Sequence, residues 1–543
     1  MTPRRILRTL SVTGLALVLL TPMTSAVAQA ETTVPRATVP KIAVPKIAWG
    51  SCGADPKLKP FQCASVEVPT DYDSPHGPTT TIALTRLPAA DPAHKIGTLF
   101  TNPGGPGGSG VDLVQQIGQQ IYTPSVRAKF DILGFDPRGV SRSDPATCYP
   151  TAADESKALA GVPPFPLTAK EERQFIVDSA KLAISCRTTS PDRLAHYSTA
   201  NVARDMDLLR QAVGDKKLSY VGYSYGTYLG ATYAKLFPNN VRALVLDGTL
   251  SPEWYSGSNG DPDPVGVRLK QGDGAYDTYE QFLSECKKAA ANCALNQLGD
   301  PKTVVEGTLE RLKTHPVDVA LPDGSTLRVT YAVAVAITFS NLYDPAGFPA
   351  LAEMWAQLSS TNRTKAAAKA PTALIEWNRR KEDYTTSIGS ALQPCVEAKQ
   401  SGRGPLAYPA YADAADQRAP HFGRYRAWIG IQCEFMGIRD NDAFLGPWKN
   451  NVKQPVLVFG TRHDPATPYE ATRPYADLYP DARMVTVEGY GHTTIGKSTC
   501  ADAMITSYLT QLKAPADGST CTQDRKPFDP LPTGKKALTP LPQ

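Results

Sequence analysis

Residues 218–230 read LSYVGYSYGTYLG. A short apolar run, Leu218 to Val221, leads into Gly222-Tyr223-Ser224-Tyr225-Gly226, and a helix-like segment follows. Gly-x-Ser-x-Gly in that setting fits a sharp strand-to-helix turn. Glycines two before and two after the serine let strand and helix approach closely, which leaves the serine at the tip with its hydroxyl exposed. Chance also produces so short a pattern. It gains weight only if a base, an acid and an anion-stabilising loop stand in the right order around it.

The chain on either side alternates strands and helices. TTTIALTRL (79–87), GTLFTN (97–102), FDILGFD (130–136) and VRALVLDG (241–248) read as strands. Val202, Met206, Leu209 and Val213 recur at helical spacing and predict one buried helix face. A second helix over 227–237 ends at Phe237-Pro238. Near residue 250 the rhythm stops, and it resumes with PVLVFG (455–460) and RMVTVEG (483–489). The expected fold is α/β: a mostly parallel sheet with helices on both faces. A cap of residues 251–450 would cover the carboxyl edge of the strands, where open sheets of this kind bind ligands. Residues 49–250 and 451–513 then form the two parts of the core and 514–543 a C-terminal tail, rich in Pro and Lys and expected to be extended or loosely ordered after Cys521.

Residues 1–30 read as a leader for export: Arg4, Arg5 and Arg8, an apolar run from Leu10 to Leu20, and Ala28-Gln29-Ala30 at the cleavage site. The apolar run is too short to span a bilayer. In 31–48, Pro35, Pro40 and Pro45 are each followed by a basic residue, which predicts an extended linker or propeptide. An exported chain meets oxidising conditions, so the ten cysteines are expected to pair. Pairing neighbours in sequence gives Cys52–Cys63, Cys148–Cys186, Cys286–Cys293, Cys395–Cys433 and Cys500–Cys521. With no CxxC and no HExxH, no metal or other cofactor is expected. The 57 basic residues nearly balance 52 acidic ones, three of the basic ones lying in the leader, so neither nucleic acid nor an anionic membrane is an expected partner. Nothing in the sequence sets an oligomeric state, and a monomer is the default.

A serine hydroxyl is a weak nucleophile. It needs a base, and the base needs a carboxylate to hold its tautomer. In folds that carry this turn the acid and then the histidine follow the serine at the ends of later strands. His492, in VEGYGHTT past the strand 483–488, suits the base, and Asp464, past 455–460, suits the acid. His463 is a rival base that stands too early in the order; Asp247, ending the strand 241–247, is a rival acid. FTNPGGPGGSG (100–110) is a glycine-rich loop after an early strand. The N–H of Gly105, or of Gly104, together with that of Tyr225 is expected to face a developing oxyanion. A phosphate-binding loop would require a following GK[ST], which is absent.

NPGGPGGSG, FDPRGVSRSDP (135–145), YVGYSYGTYLGATYAKLFPNNVRALVLDG (220–248), HDPATPYE (463–470) and GYGHTT (489–494) resemble the secreted bacterial tripeptidyl aminopeptidases, which belong with the prolyl-aminopeptidase branch of α/β-hydrolases. The resemblance extends to the block around Cys500, SYL (507–509) and Cys521, and is weakest over 251–450. It implies the α/β-hydrolase fold, a triad at Ser224, Asp464 and His492, and release of short peptides from a free amino end. Residue spacing by itself implies a serine hydrolase. Such an exopeptidase must hold the substrate's ammonium, and a cap acid is the expected partner, with Glu253 and Glu434 as candidates. A secreted esterase or lactonase on the same fold, and a binding protein with a decayed site, are the other readings.

Overall fold

The computed structural model describes residues 42–360, 371–383 and 392–529. The leader over 1–30, most of the linker and the end of the tail lie outside the described residues. The described residues from 43 onward form one compact unit.

Ten strands make one sheet. They are β1 (Gly50–Ser51), β2 (Gln62–Pro69), β3 (Thr79–Leu87), β4 (Gly97–Asn102), β5 (Phe130–Phe135), β6 (Leu218–Tyr223), β7 (Val241–Asp247), β10 (Val456–His463), β11 (Ala482–Tyr490) and β12 (Ser519–Thr522), in the spatial order β1-β2-β3-β5-β4-β6-β7-β10-β11-β12. The neighbours β1, β2, β3 and β5 join antiparallel, and every pairing beyond β5, from β5–β4 through to β11–β12, is parallel. The parallel strands β5 and β6 are buried along their whole length, as strands covered by helices on both faces must be. Residues 519–522, at the start of the C-terminal tail, add the last edge strand, tied by Cys500–Cys521.

Register decides where the loops go. Asn102 pairs with Gly222, Tyr223 with Asp247, and Asp247 with Phe459. The carboxyl ends of β4, β6, β7 and β10 are therefore level, and the segments that leave them meet at one edge of the sheet. Behind it, the helix Thr199–Ala212 buries Val202, Met206 and Leu209, while Val213 at its end is half-buried.

Between β7 and β10 the chain is mostly helical, with one antiparallel hairpin, β8 (Val317–Ala320) and β9 (Thr326–Val329). This part has its own apolar core, in which Tyr279, Phe282, Phe348, Leu351 and Trp355 are buried together. The helix Ala169–Thr189 precedes β6 in sequence, yet its Phe175 and Ile176 pack on that same core. The disulfides Cys148–Cys186 and Cys395–Cys433 share a further apolar cluster with Leu194, Leu392 and Met436. Two separate stretches of chain thus build the cover.

Candidate active site

Ser224 stands between the last residue of β6 and the first residue of the helix Tyr225–Leu236, with φ 56° and ψ −126°. An L-residue in that region carries about 1–3 kcal/mol of strain. The flanking glycines make the turn possible. A Cβ at Gly222 would stand 2.3 Å from the Gly226 carbonyl oxygen, and a Cβ at Gly226 would stand 2.9 Å from that of Asn102. The backbone of Ser224 is fixed on both sides: its N–H donates to the Asp247 carbonyl (3.0 Å), and its carbonyl accepts from the Thr227 N–H (2.8 Å) and hydroxyl (2.6 Å). Its side chain is half-buried, whereas its neighbours on both sides are buried.

Asp464 and His492 leave the adjacent strands β10 and β11 and meet. Nδ1 of His492 lies 2.9 and 3.0 Å from the two carboxylate oxygens of Asp464. Both side chains are buried. The carboxylate also accepts from the N–H groups of Ala466 and Thr467 and from the Thr467 hydroxyl. Burial alone would raise the Asp464 carboxyl; the His492 imidazole and these donors outweigh it and hold the group below its ordinary value. The other ring nitrogen of His492, Nε2, is buried and has no hydrogen-bond partner among the described residues. The ring edge faces Gly248, where a Cβ would stand 3.1 Å from Cε1. Gly248 follows the residue whose carbonyl holds the Ser224 N–H, so serine and histidine flank one peptide unit. An imidazole held at Nδ1 by a carboxylate and open at Nε2 can take a proton from a neighbouring hydroxyl and return it to a leaving group.

The rivals are placed elsewhere. His463 bonds Asp277 through Nδ1 (2.7 Å) and stacks on Tyr490. Asp247 accepts from the N–H (2.9 Å) and hydroxyl (2.8 Å) of Thr494, and burial raises its carboxyl to about 6. It braces the loop two residues beyond His492 without bonding the imidazole.

The glycine-rich loop lies against the serine. A Cβ at Gly104 would stand 2.7 Å from Cβ of Ser224 and 2.5 Å from the Tyr223 carbonyl oxygen. The Gly104 N–H donates to Oδ1 of Asn102 (3.0 Å), which removes it as an oxyanion donor. The N–H groups of Gly105 and Tyr225 carry no hydrogen bond among the described residues; the latter opens a helix and has no acceptor within it. Asp136 is fully buried and anchors the far end of the loop, accepting from the Ser109 hydroxyl and the Val111 N–H.

All five expected cysteine pairs are joined as disulfides, and no cysteine is free. The two cap acids fare differently. Glu253 is exposed, so the low-dielectric pairing expected of it does not hold. Glu434 is half-buried; its Oε1 accepts from the Ser401 N–H (2.9 Å) and the Tyr408 hydroxyl (3.3 Å), and burial raises its carboxyl. Sequence reasoning passed over Glu397, which is fully buried. It accepts from the Thr199 N–H (2.6 Å) and hydroxyl (2.8 Å) and from the Tyr255 hydroxyl (2.9 Å). The Thr199 hydroxyl in turn bonds that of Tyr225, the residue after Ser224. Tyr343 and Lys497, which hold the His492 loop, were also passed over. Only their contacts mark these residues. Among the described residues no group of three His, Cys, Asp or Glu side chains is arranged to hold a metal ion.

Residues 97–497 match the family model described as the alpha/beta hydrolase fold. The chain is 30% identical over 514 residues to the serine protease Hip1 of Mycobacterium tuberculosis (strain ATCC 25618 / H37Rv), covering 87% of this chain and 90% of that one. It is 29% identical over 503 residues to the tripeptidyl aminopeptidase of Streptomyces lividans, covering 88% and 87%. Carboxylesterase B of the same M. tuberculosis strain is 30% identical over 503 residues, covering 87% and 89%. Together with the elbow, the levelled strand ends and the Asp464–His492 pair, these likenesses make the chain a member of the α/β-hydrolase fold family and a serine hydrolase.

Proposed function

We propose that the protein is an exported serine exopeptidase that releases short peptides, tripeptides foremost, from a free amino end. The reading is carried by the buried His492, bonded by Asp464 at Nδ1 and with Nε2 free of hydrogen bonds among the described residues, together with the strained turn at Ser224. Likeness to the Streptomyces tripeptidyl aminopeptidase supports the peptide substrate; five disulfides suit an oxidising compartment. Ser224 Oγ attacks the scissile carbonyl as its proton passes to Nε2 of His492. The oxyanion forms against the N–H groups of Gly105 and Tyr225. The proton then moves to the leaving amine, the C–N bond breaks, and the peptide remains as an ester on Ser224. Water, deprotonated by Nε2, releases it as a carboxylate and restores the serine.

An exopeptidase must also hold the amino end. Three extended residues reach about 10 Å, so the acid that pairs with the ammonium stands well away from Ser224. We assign this to the cap, with Glu434 as the acid, since its Oε2 makes no hydrogen bond among the described residues. The experiment compares tripeptide anilides with free and acetylated amino ends, and an aryl ester, by kcat/KM. Acetylation is expected to cost about 2 kcal/mol or more, and Glu434→Gln to remove most of that preference. Carboxylesterase B is as similar as the peptidases. Equal turnover of free and acetylated peptides, with the ester far ahead of both, would therefore move the protein to the esterases.

A further inference from the structure

The ammonium of Lys497 makes three hydrogen bonds and all go to backbone carbonyls: His492 (2.6 Å), Thr493 (3.0 Å) and Tyr343 (3.1 Å). No carboxylate forms an ion pair with it among the described residues. Two of these carbonyls belong to the loop that carries the base. The third belongs to the cap, in the turn between the helices Tyr331–Asn341 and Phe348–Ser359. The same Tyr343 carbonyl accepts from the His492 N–H (2.8 Å), and the Tyr343 ring meets the imidazole edge-on at 5.0 Å. Gly491, at φ 90°, makes room: a Cβ there would stand 2.6 Å from the Tyr343 carbonyl oxygen. The helix before Tyr343 buries Ala334, Val335, Ile337 and Phe339 in the cap core, so the turn is anchored in the cap rather than in the sheet.

We propose that Lys497 is a positioning residue that fastens the His492 loop to the cap at Tyr343, so that the position of the general base is set by the position of the cap. The proposal rests on His492 being the base. A lysine suits the task because an ammonium offers three donors on a flexible stem and can bond three carbonyls that face it from different directions. The charge matters as well as the geometry. Burial lowers the Lys497 ammonium from its ordinary value, while Asp344, Asp464 and Asp247 act to raise it. Of these carboxylates, Asp464 bonds the His492 imidazole itself and Asp247 bonds Thr494 in the same loop, so the one cation holds the loop among groups of opposite charge.

The test uses full-length Lys497→Met, Lys497→Gln and Lys497→Arg beside His492→Ala, each assayed on an aryl ester and a free tripeptide anilide across pH. Lys497→Met is expected to lower kcat about 10- to 100-fold on both substrates, the loss that follows when a reacting group is misplaced by about 1 Å. KM should change less than about twofold. Lys497→Arg should recover part of kcat, and Lys497→Gln should show a smaller fall in kcat than Lys497→Met. If Lys497→Met does not fold, the Gln and Arg variants still decide between charge and mere packing. Lower melting temperatures with kcat unmoved in the variants that fold would overturn the proposal. Activity surviving in His492→Ala would instead overturn the assignment of the base.

Discussion

The Asp464 carboxylate straddles Nδ1 of His492, with its oxygens at 2.9 and 3.0 Å, while Asp247, buried in the same region, gives its oxygens to Thr494. Two carboxylates thus share one neighbourhood with separate tasks. Asp464 fixes the tautomer and orientation of the imidazole; Asp247 fixes the backbone beyond it.

Asp464→Asn should therefore lower kcat by about 10⁴, the loss seen where an amide imposes the wrong tautomer on a triad histidine. Asp247→Asn keeps an acceptor for Thr494 and should cost less than about tenfold. Steady-state turnover of an aryl ester at one pH above 7 measures both. A greater loss in Asp247→Asn would exchange their roles.

Gly104 offers a test of the oxyanion loop. An added methyl meets the Tyr223 carbonyl and Cβ of Ser224 from 2.5 and 2.7 Å, and φ is 97°. Neither neighbour is a flexible side-chain end. Gly104→Ala must push the loop away from the serine and with it the Gly105 N–H. The expected loss is that of one oxyanion donor, about 10²–10³ in kcat, together with about 1–3 kcal/mol of stability from backbone strain. A burst of ester hydrolysis in rapid mixing measures the acylation step. Acylation within twofold of the parent would mean that residues 104 and 105 take no part in it.

The elbow, the residues of the Asp464–His492 pair and the loop at 100–110 are legible in the sequence because each is written in a few adjacent residues at a strand end. The strands β4 to β7 are legible for the same reason, as apolar runs bounded by glycine or proline. What the sequence hides is contact between distant segments. Glu397 meets Thr199, and Lys497 meets Tyr343, across 198 and 154 residues, and no periodicity announces either pairing. The helix Ala169–Thr189 has a capping box at Thr168 and Glu171 that marks where it starts, but only packing shows that it belongs with the cap. Glu253 stood close to a strand end in sequence; the first turn of its short helix points it to solvent.

The disulfide Cys395–Cys433 joins residues 38 apart and holds the helix Gln393–Glu397 to the helix that carries Glu434. Closing a loop of that size in the unfolded chain is worth about 3–4 kcal/mol in the chain-entropy account. A double Cys395→Ala, Cys433→Ala variant should lose about that much in chemical denaturation. Thiol titration of the unfolded, unreduced parent should find no free sulfhydryl, since all ten cysteines are bridged. Two or more free thiols would contradict the pairing.

Glu397 gives a stability signature of its own. Burial pushes its carboxyl up to about 7, against a reference of 4.5, although the Thr199 N–H and hydroxyl and the Tyr255 hydroxyl act to lower it. The folded protein therefore holds this proton over a range where the unfolded chain has released it. A raised carboxyl contributes stability that is fully present below the unfolded value and is lost as pH rises through the folded one. The window runs from about 4.5 to about 7, with a slope of at most one proton, about 1.4 kcal/mol per pH unit. Glu397→Gln is isosteric, stays neutral, and still offers an oxygen to Thr199. Its melting temperature should match the parent's near pH 5 and exceed it at pH 8. Other buried acids contribute slopes in both proteins, so the difference between parent and variant isolates this one. Because Thr199 links Glu397 to the Tyr225 hydroxyl, the variant should also keep its kcat better than the parent as pH rises from 7 to 8. Melting curves that differ by the same amount at both pH values would show that the carboxylate is not the titrating group. A variant less stable than the parent at pH 8 would show that the fold needs its charge.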